Sequence, residues 1–455
     1  MRATSYLIPS LLLTTQIQAV PAWLSPGYSV PTTLLDPGHN KLGAVASESA
    51  ICSEIGTAAL QAGGNAADAM VATTLCVGGI SNEIEGDGTH LGHLFDRSAT
   101  LGRLLIDRMT LIGMYHSGIG GGGFMLARHS NGSYEFIDFR ECAPAAATEN
   151  MYKNNVNASI HTGLASGVPG ELRGLAYLHD NYGSLPWEDL VMPAVEVARN
   201  GFPVTADLVR YEANAVAGID NFLVNNPTWA IDFAPNGTLL GLGDIITRKR
   251  YADTLETIAK RGVDAFYSGP LAETFINTVQ SNGGIMTLED LENYTIAIRP
   301  PSAIDYRDYK ITSGSAPSSG TVLASVMKII EGYPTIGEAA TLNLSTHLFD
   351  EAIRFAYGQR TELGDPFFVE GMTAYQADKL SETTAAAVRA KISPLHTLNV
   401  SAYDPSGFES LETPGTSAVV TTDVTGMAIS LTTTVNLLFG SQIMVPETGV
   451  ILNNE

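Results

Sequence analysis

The pair Gly415–Thr416, at the start of the apolar stretch "TSAVVTTD", is the clearest candidate for covalent chemistry in the chain. A threonine hydroxyl becomes a good nucleophile only when a base removes its proton. The chain could supply that base by cleaving itself before Thr416, because the α-amine released there has a pKa near neutrality. Gly415 suits such a cleavage, since a residue without a side chain leaves its carbonyl open to attack. The alternative is that Thr416 simply begins a strand, as many threonines do.

Other common kinds of site are poorly represented in the sequence. Its nine histidines are scattered, and it has no H-E-x-x-H motif and no pair of C-x-x-C motifs, so we predict no metal site. The glycine run "GIGGGG" at 118–123 lacks the Lys-Ser/Thr of a phosphate loop and precedes a predicted strand, where a phosphate site needs a helix. We expect these glycines to allow close approach of backbone to backbone or to a ligand.

Length and charge limit the class of protein. With 455 residues, 45% of them apolar, the chain is expected to form one large or two medium domains. It carries 47 acidic and 25 basic residues, a net charge of −22, which disfavours nucleic acid as a partner.

The first 22 residues have the pattern of a secretory signal peptide, with Arg2 before a short apolar run and small residues near position 20. An uncleaved signal anchor is the alternative. Six N-x-Ser/Thr triplets agree with export through the secretory pathway to the medium, the cell surface or a vacuole. The candidate glycosylation sites are Asn131, Asn157, Asn236, Asn293, Asn343 and Asn399.

The stretch from Ser47 to Gly79 predicts a pair of helices. Ser47 or Ser49 can cap the first helix, Gly63-Gly64 ends it, and Asn65 can cap the second. A helical hairpin brings Cys52 and Cys76 towards the same end, where a disulfide would contribute about 3 kcal/mol. Two buried free thiols are the alternative. In an oxidising compartment the odd number of cysteines leaves Cys142 over.

Strand patterns occur on both sides of a mostly helical region that runs from 145 to about 390. A β-hairpin is predicted with strands at Phe124–Arg128 and Tyr134–Phe139 around an Asn-Gly turn. Two more strands are predicted at Thr416–Thr422 and Met427–Thr434. We therefore expect a layered α/β/α fold in which strands from the two ends of the chain share a sheet.

Four long stretches resemble the γ-glutamyltransferase (glutathione hydrolase) family in its fungal form. They are "MYHSGIGGGGFMLARHSNGSYEFIDFRECAP", "LASGVPGELRGLAYLHDNYGSLP", "FDEAIRFAYGQRTELGDP" and the last 41 residues, which begin "GTSAVVTTD". The resemblance implies an α/β fold, the four-layer αββα sandwich of N-terminal-nucleophile hydrolases. It also implies a precursor that cuts itself into a large and a small chain, which remain associated. No cofactor is implied.

On the matching positions, the resemblance implies a set of roles. Thr416 would be the catalytic nucleophile, with cleavage between Gly415 and Thr416. Arg140 would hold the α-carboxylate of the substrate, and Glu455 its α-ammonium. Thr434 would lie near the nucleophile, and Asn436 would contact the amino-acid end of the substrate. The substrates implied are glutathione and other γ-glutamyl compounds, with water, amino acids or peptides as acceptors. The resemblance also implies a disulfide between Cys52 and Cys76.

The sequence departs from the family pattern in two places. The family continues for more than a hundred residues beyond "LNNE", through an aspartate, a Ser-Ser pair and a Gly-Gly pair that forms the oxyanion hole. We therefore expect a large-chain region at 23–415, a truncated small-chain region at 416–455, and negligible activity for these 455 residues alone. Residues 79–112, with a short helix predicted over Leu101–Leu111, have no counterpart in the family and are predicted to be an insertion. Two alternatives remain: an amidase of the same class with another acyl specificity, and an inactive product of an incomplete gene model.

Overall fold

Six antiparallel strands form the central sheet, five of them from the two ends of the chain and one from the region between. The computed structural model describes residues 43–80, 114–407 and 415–455. In spatial order the strands are β1 (Gly43–Ser47), β9 (Ser417–Asp423), β10 (Ala428–Thr434), β2 (Gly122–Arg128), β3 (Tyr134–Asp138) and β6 (Ala297–Arg299). The prediction that strands from the two ends share a sheet is confirmed, because β10 pairs directly with β2.

Helices make up most of the chain between β3 and β9. In chain order the helices of the described residues are α1 (Ala50–Gln61), α2 (Ala66–Ile80), α3 (Ala158–His161), α4 (Glu171–Tyr182), α5 (Trp187–Asn200), α6 (Ala206–Ala215), α7 (Phe222–Asn225), α8 (Pro227–Phe233), α9 (Lys249–Arg261), α10 (Asp264–Tyr267), α11 (Pro270–Ser281), α12 (Leu288–Glu292), α13 (Gly320–Glu331), α14 (Leu342–Arg360), α15 (Met372–Lys379), α16 (Glu382–Arg389) and α17 (Val400–Tyr403). Within the described ranges, no helix is long and apolar enough to span a bilayer.

Besides β6, which was not predicted either, the helical region contains four short strands that were not predicted. They pair as two small sheets, β4 (Phe202–Pro203) with β5 (Ile245–Ile246) and β7 (Ser302–Tyr306) with β8 (Tyr309–Ser313), of which only the second is a hairpin. Strands of two to five residues contain too few alternations to stand out in a sequence.

Strand β1 was also not predicted from the sequence. Gly43 and Ala44 begin β1, which pairs with β9 along its whole length. Its sequence, GAVAS, consists of small residues, of which only Val45 has a strong strand preference of its own. The strand therefore depends on pairing with a distant partner.

The predicted helix pair is present, with the predicted caps. The Ser49 hydroxyl accepts a hydrogen bond from the Cys52 amide at 3.3 Å, and the Asn65 carboxamide accepts one from the Ala67 amide at 2.8 Å. Cys52 and Cys76 form a disulfide, with Cα atoms 5.4 Å apart. This pair packs on the sheet, and α4 and α5 pack against α2.

The predicted hairpin is present as β2 and β3, and the glycine run before it packs tightly on other backbone segments. A Cβ atom added to Gly121 would stand 1.9 Å from the Thr434 carbonyl oxygen, and one added to Gly123 would stand 2.0 Å from that of Thr432. Any larger residue would push these segments apart. The expectation of close backbone approach is confirmed.

The sheet has one covered face. Ser417, Val419 and Thr421 of β9 are fully buried towards the helices, whereas the alternating Ala418 and Val420 are exposed. Since successive side chains of a strand point to opposite faces, Thr416 belongs to the face away from the helices.

Several predictions lie outside the described residues. They are the leader at 1–22, the helix over Leu101–Leu111, and residues 81–112 of the predicted insertion. Residues 79 and 80, predicted to belong to that insertion, are instead the last residues of α2.

Candidate active site

Thr416 stands one residue before β9 and faces the end of β10. The last residue pair between these strands is Ser417 with Thr433, so the next pair in register is Thr416 with Thr434. Thr416 is half-buried, whereas Thr434 is fully buried. Two of the predicted site residues are thus neighbours on adjacent strand ends.

The same row of the sheet continues to Arg140. Thr434 pairs with Gly122. Between β2 and the residues that follow β3, the amides and carbonyls of Gly123 and Phe139 form two backbone hydrogen bonds, of 3.3 and 3.0 Å. The next residue pair in this register is Gly122 with Arg140. Arg140 is thus three strands away from Thr416, which corresponds to about 14 Å between their Cα atoms. The long arginine side chain and an extended acyl chain can span such a gap.

Arg140 contacts two other predicted site residues. Its Nη2 atom donates a hydrogen bond of 2.7 Å to the Asn436 carboxamide oxygen and lies 2.7 Å from Oε1 of Glu455. The Arg140 side chain remains 25% exposed, and that of Glu455 46% exposed. A cation and a carboxylate therefore lie side by side at an accessible position.

Asn436 connects this charged pair to Thr434. Its amide donates a hydrogen bond of 2.8 Å to the Thr434 hydroxyl, and its side-chain nitrogen donates one of 3.0 Å to Glu141. Its φ angle of 80° lies in the left-handed region, which asparagine tolerates better than most residues. The turn at Asn436 thus directs the carboxamide oxygen towards Arg140.

Glu141 is a fully buried carboxyl group that we did not predict as a site residue. Burial raises its pKa to about 7, although the neighbouring Arg140 guanidinium lowers it. Its Oε2 atom lies 3.5 Å from Arg140 Nε. Its position directly after Arg140 in "DFRE" was the available signal.

Side chains of Asp138 and Tyr294 hold the backbone of Arg140 in place. Asp138 accepts a hydrogen bond of 2.9 Å from the Arg140 amide and one of 2.6 Å from Nε of Arg299. Arg299 in turn makes two parallel hydrogen bonds, of 2.9 and 2.8 Å, to Asp365. Tyr294 donates a hydrogen bond of 2.8 Å to the Arg140 carbonyl.

Glu455 is positioned by Asn453, which is fully buried. The Asn453 side chain donates hydrogen bonds to the carbonyls of Gly120 and Gly167, at 2.7 and 2.8 Å. It accepts others from the amides of Gly167 and Glu455, at 2.9 and 3.2 Å. All the hydrogen-bonding capacity of this amide is used, which ties Glu455 to the glycine run.

A buried polar cluster lies on the opposite, helix-facing side of the same strand ends. His116 Nδ1 is 3.1 Å from the Ser417 hydroxyl. Thr433 bonds to Ser117 at 3.1 Å and donates a hydrogen bond to Glu171. Burial lowers the pKa of His116 to about 3 and raises that of Glu171 to about 8, so both side chains favour their neutral forms. Sequence reasoning missed this cluster, because its members come from four separate segments.

The remaining predicted residues lie apart from this arrangement. All six sequon asparagines are exposed. Cys142, which follows Glu141, is an exposed free cysteine whose sulfur lies 4.0 Å from the Arg140 carbonyl oxygen. In the three ranges that the structure describes, no group of three or more His, Cys, Asp or Glu side chains is arranged to hold a metal ion.

A threonine at the end of a central strand, with helices layered on the sheet, is the arrangement of an N-terminal-nucleophile hydrolase, and solved structures of that class share this fold. The γ-glutamyltranspeptidase of Helicobacter pylori, for example, superposes with a TM-score of 0.66 at 28% identity, covering 83% of this chain and 100% of that chain. The protein belongs to the γ-glutamyltranspeptidase family, whose model, "Gamma-glutamyltranspeptidase", matches residues 108–455.

Two fungal relatives agree with this assignment. A glutathione hydrolase proenzyme of Arthroderma benhamiae is 52% identical over 97% of this chain and 71% of its own length. A glutathione hydrolase of Aspergillus flavus is 48% identical over 91% of this chain and 64% of its own length. The chain thus spans about two thirds of the length of these relatives.

Proposed function

We propose that the protein is a self-processing γ-glutamyl acyltransferase and hydrolase that cleaves glutathione and other γ-glutamyl compounds. The observation that carries this proposal is the contact of Arg140 with both Asn436 and Glu455, in the row of the sheet that begins at Thr416. A cation and an anion at one accessible place suit the carboxylate and the ammonium of an α-amino acid.

Self-cleavage would come first. The Thr416 hydroxyl attacks the carbonyl carbon of Gly415, the peptide C–N bond breaks, and the acyl group moves from the nitrogen to the hydroxyl oxygen as an ester. This shift frees the α-amine of Thr416. Water then hydrolyses the ester, which releases a carboxylate at Gly415 and restores the Thr416 hydroxyl. The α-amine, with a pKa near neutrality, can accept a proton from the hydroxyl of the same residue.

Acyl transfer would follow in two steps. Thr416 Oγ1 attacks the γ-carbonyl of the donor, the α-amine takes the hydroxyl proton, and the leaving amine receives a proton as the C–N bond breaks. Water, or the amine of an amino acid or peptide, then attacks the ester and releases glutamate or a new γ-glutamyl amide. The Thr434 hydroxyl, which accepts a hydrogen bond from Asn436, keeps its own proton available for donation.

The two chains would remain together after cleavage, because β9 lies between β1 and β10 in the sheet. Breaking the bond before Thr416 leaves all of these strand pairings intact. The large and the small chain are therefore each other's permanent partners.

The exposed positions of the glycosylation sequons support residence in the secretory pathway. The asparagines of all six sequons are exposed, so each could accept a glycan without unfolding. A shift in electrophoretic mobility after enzymatic removal of N-linked glycans would support glycosylation in the secretory pathway. An unchanged mobility of protein purified from its own source would argue against it.

The function can be tested with three anilides that differ only in the acyl group: γ-glutamyl, glutaryl, which lacks the α-ammonium, and butyryl, which also lacks the carboxylate. We expect protein from the complete reading frame to prefer them in that order. Thr416→Ala should abolish turnover, whereas Thr432→Ala, at an exposed position of β10, should not. Faster cleavage of the butyryl compound would favour an amidase of other specificity.

A further inference from the structure

The feature that the proposed reaction leaves unexplained is the polar cluster behind Thr416. His116 and Ser417 are both fully buried, and their side chains meet at 3.1 Å on the face that points to the helices. Burying polar groups in a core is costly unless they are hydrogen-bonded to each other. Because this pair lies next to the proposed nucleophile, on the other face of the sheet, we asked what it contributes to the reaction.

His116 holds two strand ends at once. Its side chain bonds to Ser417 at the start of β9, and its backbone carbonyl accepts a hydrogen bond of 2.9 Å from Val435 at the end of β10. Ser417 directly follows Thr416, and Val435 lies between Thr434 and Asn436. His116 is thus a common anchor for the two segments that carry three of the proposed site residues.

The alternation of side chains along a strand gives this anchor a consequence for Thr416. When the Ser417 hydroxyl is fixed towards the helices, the preceding residue is fixed towards the opposite face. The imidazole itself is held by aromatic rings, with its centroid 4.3 Å from that of Tyr115 in an edge-on arrangement. Together with Tyr211, whose ring centroid lies 6.2 Å away, Tyr115 restricts the orientation of the imidazole.

We propose that His116 and Ser417 are positioning residues that orient Thr416 for self-cleavage and for acyl transfer. This proposal rests on the proposed function, in which Thr416 is the nucleophile. Neither residue touches the substrate. Both act through the backbone between Ser417 and Thr416, whose displacement by about 1 Å would lower a rate by as much as a hundredfold.

The test compares four variants of protein from the complete reading frame with γ-glutamyl anilide as substrate. Ser417→Ala removes the hydroxyl, and His116→Leu removes the hydrogen-bonding nitrogen. His116→Asn places a side-chain nitrogen or oxygen where Nδ1 stood. Thr421→Val is the matched control, because Thr421 is a buried hydroxyl residue on the same face of β9 that bonds to the Ala66 carbonyl at 2.8 Å.

We expect Ser417→Ala and His116→Leu to slow self-cleavage and to lower kcat by at least about tenfold, with KM changed less than about twofold. His116→Asn should restore most of kcat, and Thr421→Val should keep it. Because unfolded or uncleaved protein would also lower the apparent kcat at unchanged KM, kcat is expressed per mole of the folded protein that carries the fragment beginning at Thr416.

Three results would overturn the proposal: a wild-type kcat in Ser417→Ala, equal losses in His116→Asn and His116→Leu, or an equal loss in Thr421→Val. If His116→Leu does not fold, Ser417→Ala decides alone, since it removes a single oxygen atom. Thr416→Ala is measured beside these variants. An active Thr416→Ala protein would refute the proposed function itself, whereas an inactive one beside a normal Ser417→Ala would refute only the positioning role.

Discussion

Arg140 and Glu455 form an ion pair in which Nη2 of the guanidinium lies 2.7 Å from Oε1 of the carboxylate. A zwitterionic α-amino acid can separate this pair and leave both charges compensated, because its carboxylate replaces Glu455 at Arg140 and its ammonium replaces Arg140 at Glu455. A donor that carries only a carboxylate would leave Glu455 without its cation. In the proposed function, the pair would thus provide a physical basis for selecting γ-glutamyl donors.

Replacing Arg140 by lysine should weaken donor binding, because lysine cannot form the planar, two-pronged contact with a carboxylate. Hydrogen bonds between charged groups contribute about 1.5–3 kcal/mol, so we expect KM for γ-glutamyl anilide to rise about tenfold to a hundredfold in Arg140→Lys. The control is Arg128→Lys on β2, whose guanidinium bonds to the Gly426 carbonyl in the turn between β9 and β10. An unchanged KM in Arg140→Lys would remove this residue from the donor site.

Neutralising Glu455 should reveal the role of the α-ammonium. In Glu455→Gln we expect kcat/KM to fall about tenfold or more for the γ-glutamyl anilide but to stay level or rise for the glutaryl anilide, which has no ammonium. The measurement is the ratio of the two kcat/KM values. A ratio equal to that of the unmodified protein would contradict the proposed contact.

Removing the disulfide should destabilise the helix pair without altering the site. A bridge with a sequence separation of 24 contributes about 3 kcal/mol in the chain-entropy model. We expect Cys52→Ser with Cys76→Ser to lower the free energy of unfolding in urea by about that amount. Cys142→Ser, at an exposed position, should leave it within about 0.5 kcal/mol. Equal stability of the double variant and the unmodified protein would show that the bridge does not constrain the unfolded chain.

Glu171 should make stability depend on pH. Burial raises its pKa to about 8 from 4.5, so the folded protein keeps a proton that the unfolded chain has already lost. Its contribution to stability is therefore complete below about pH 4.5 and is lost as the pH rises to about 8. We expect Glu171→Gln, which stays neutral, to show a smaller fall in Tm between these pH values than the unmodified protein. The exposed Glu149→Gln should not differ, and an equal fall in Glu171→Gln would contradict the buried neutral acid.

The elements with strong local signals could be predicted from the sequence. Ser49 and Asn65 cap the helices as expected, and the Asn-Gly turn at Asn131 joins β2 and β3. Such features depend on residues only a few positions apart. The small-residue strand β1 and the short strands β4 and β5 were missed, because they depend on partners elsewhere in the chain.

For the site, only the identities of the residues could be predicted, from the resemblance to a family, and not their arrangement in space. The hydrogen bond between Arg140 and Asn436 joins residues 296 positions apart. No local pattern connects them, and only the fold shows that their strands share a sheet. The pair of His116 and Ser417 was missed entirely, because a buried histidine and a strand serine carry no signal until the two segments are placed together.

The most direct test of the central claim is the identity of the N-terminus created by self-cleavage. Purified protein from the complete reading frame, together with its Thr416→Ala and Thr432→Ala variants, is analysed by mass spectrometry and N-terminal sequencing, and hydrolysis of γ-glutamyl anilide is measured on the same samples. We expect a fragment that begins at Thr416 in the unmodified protein and in Thr432→Ala, and a single uncleaved, inactive chain in Thr416→Ala. Hydrolysis by the Thr416→Ala variant, or a cleavage site other than Gly415–Thr416 in the active protein, would contradict the account.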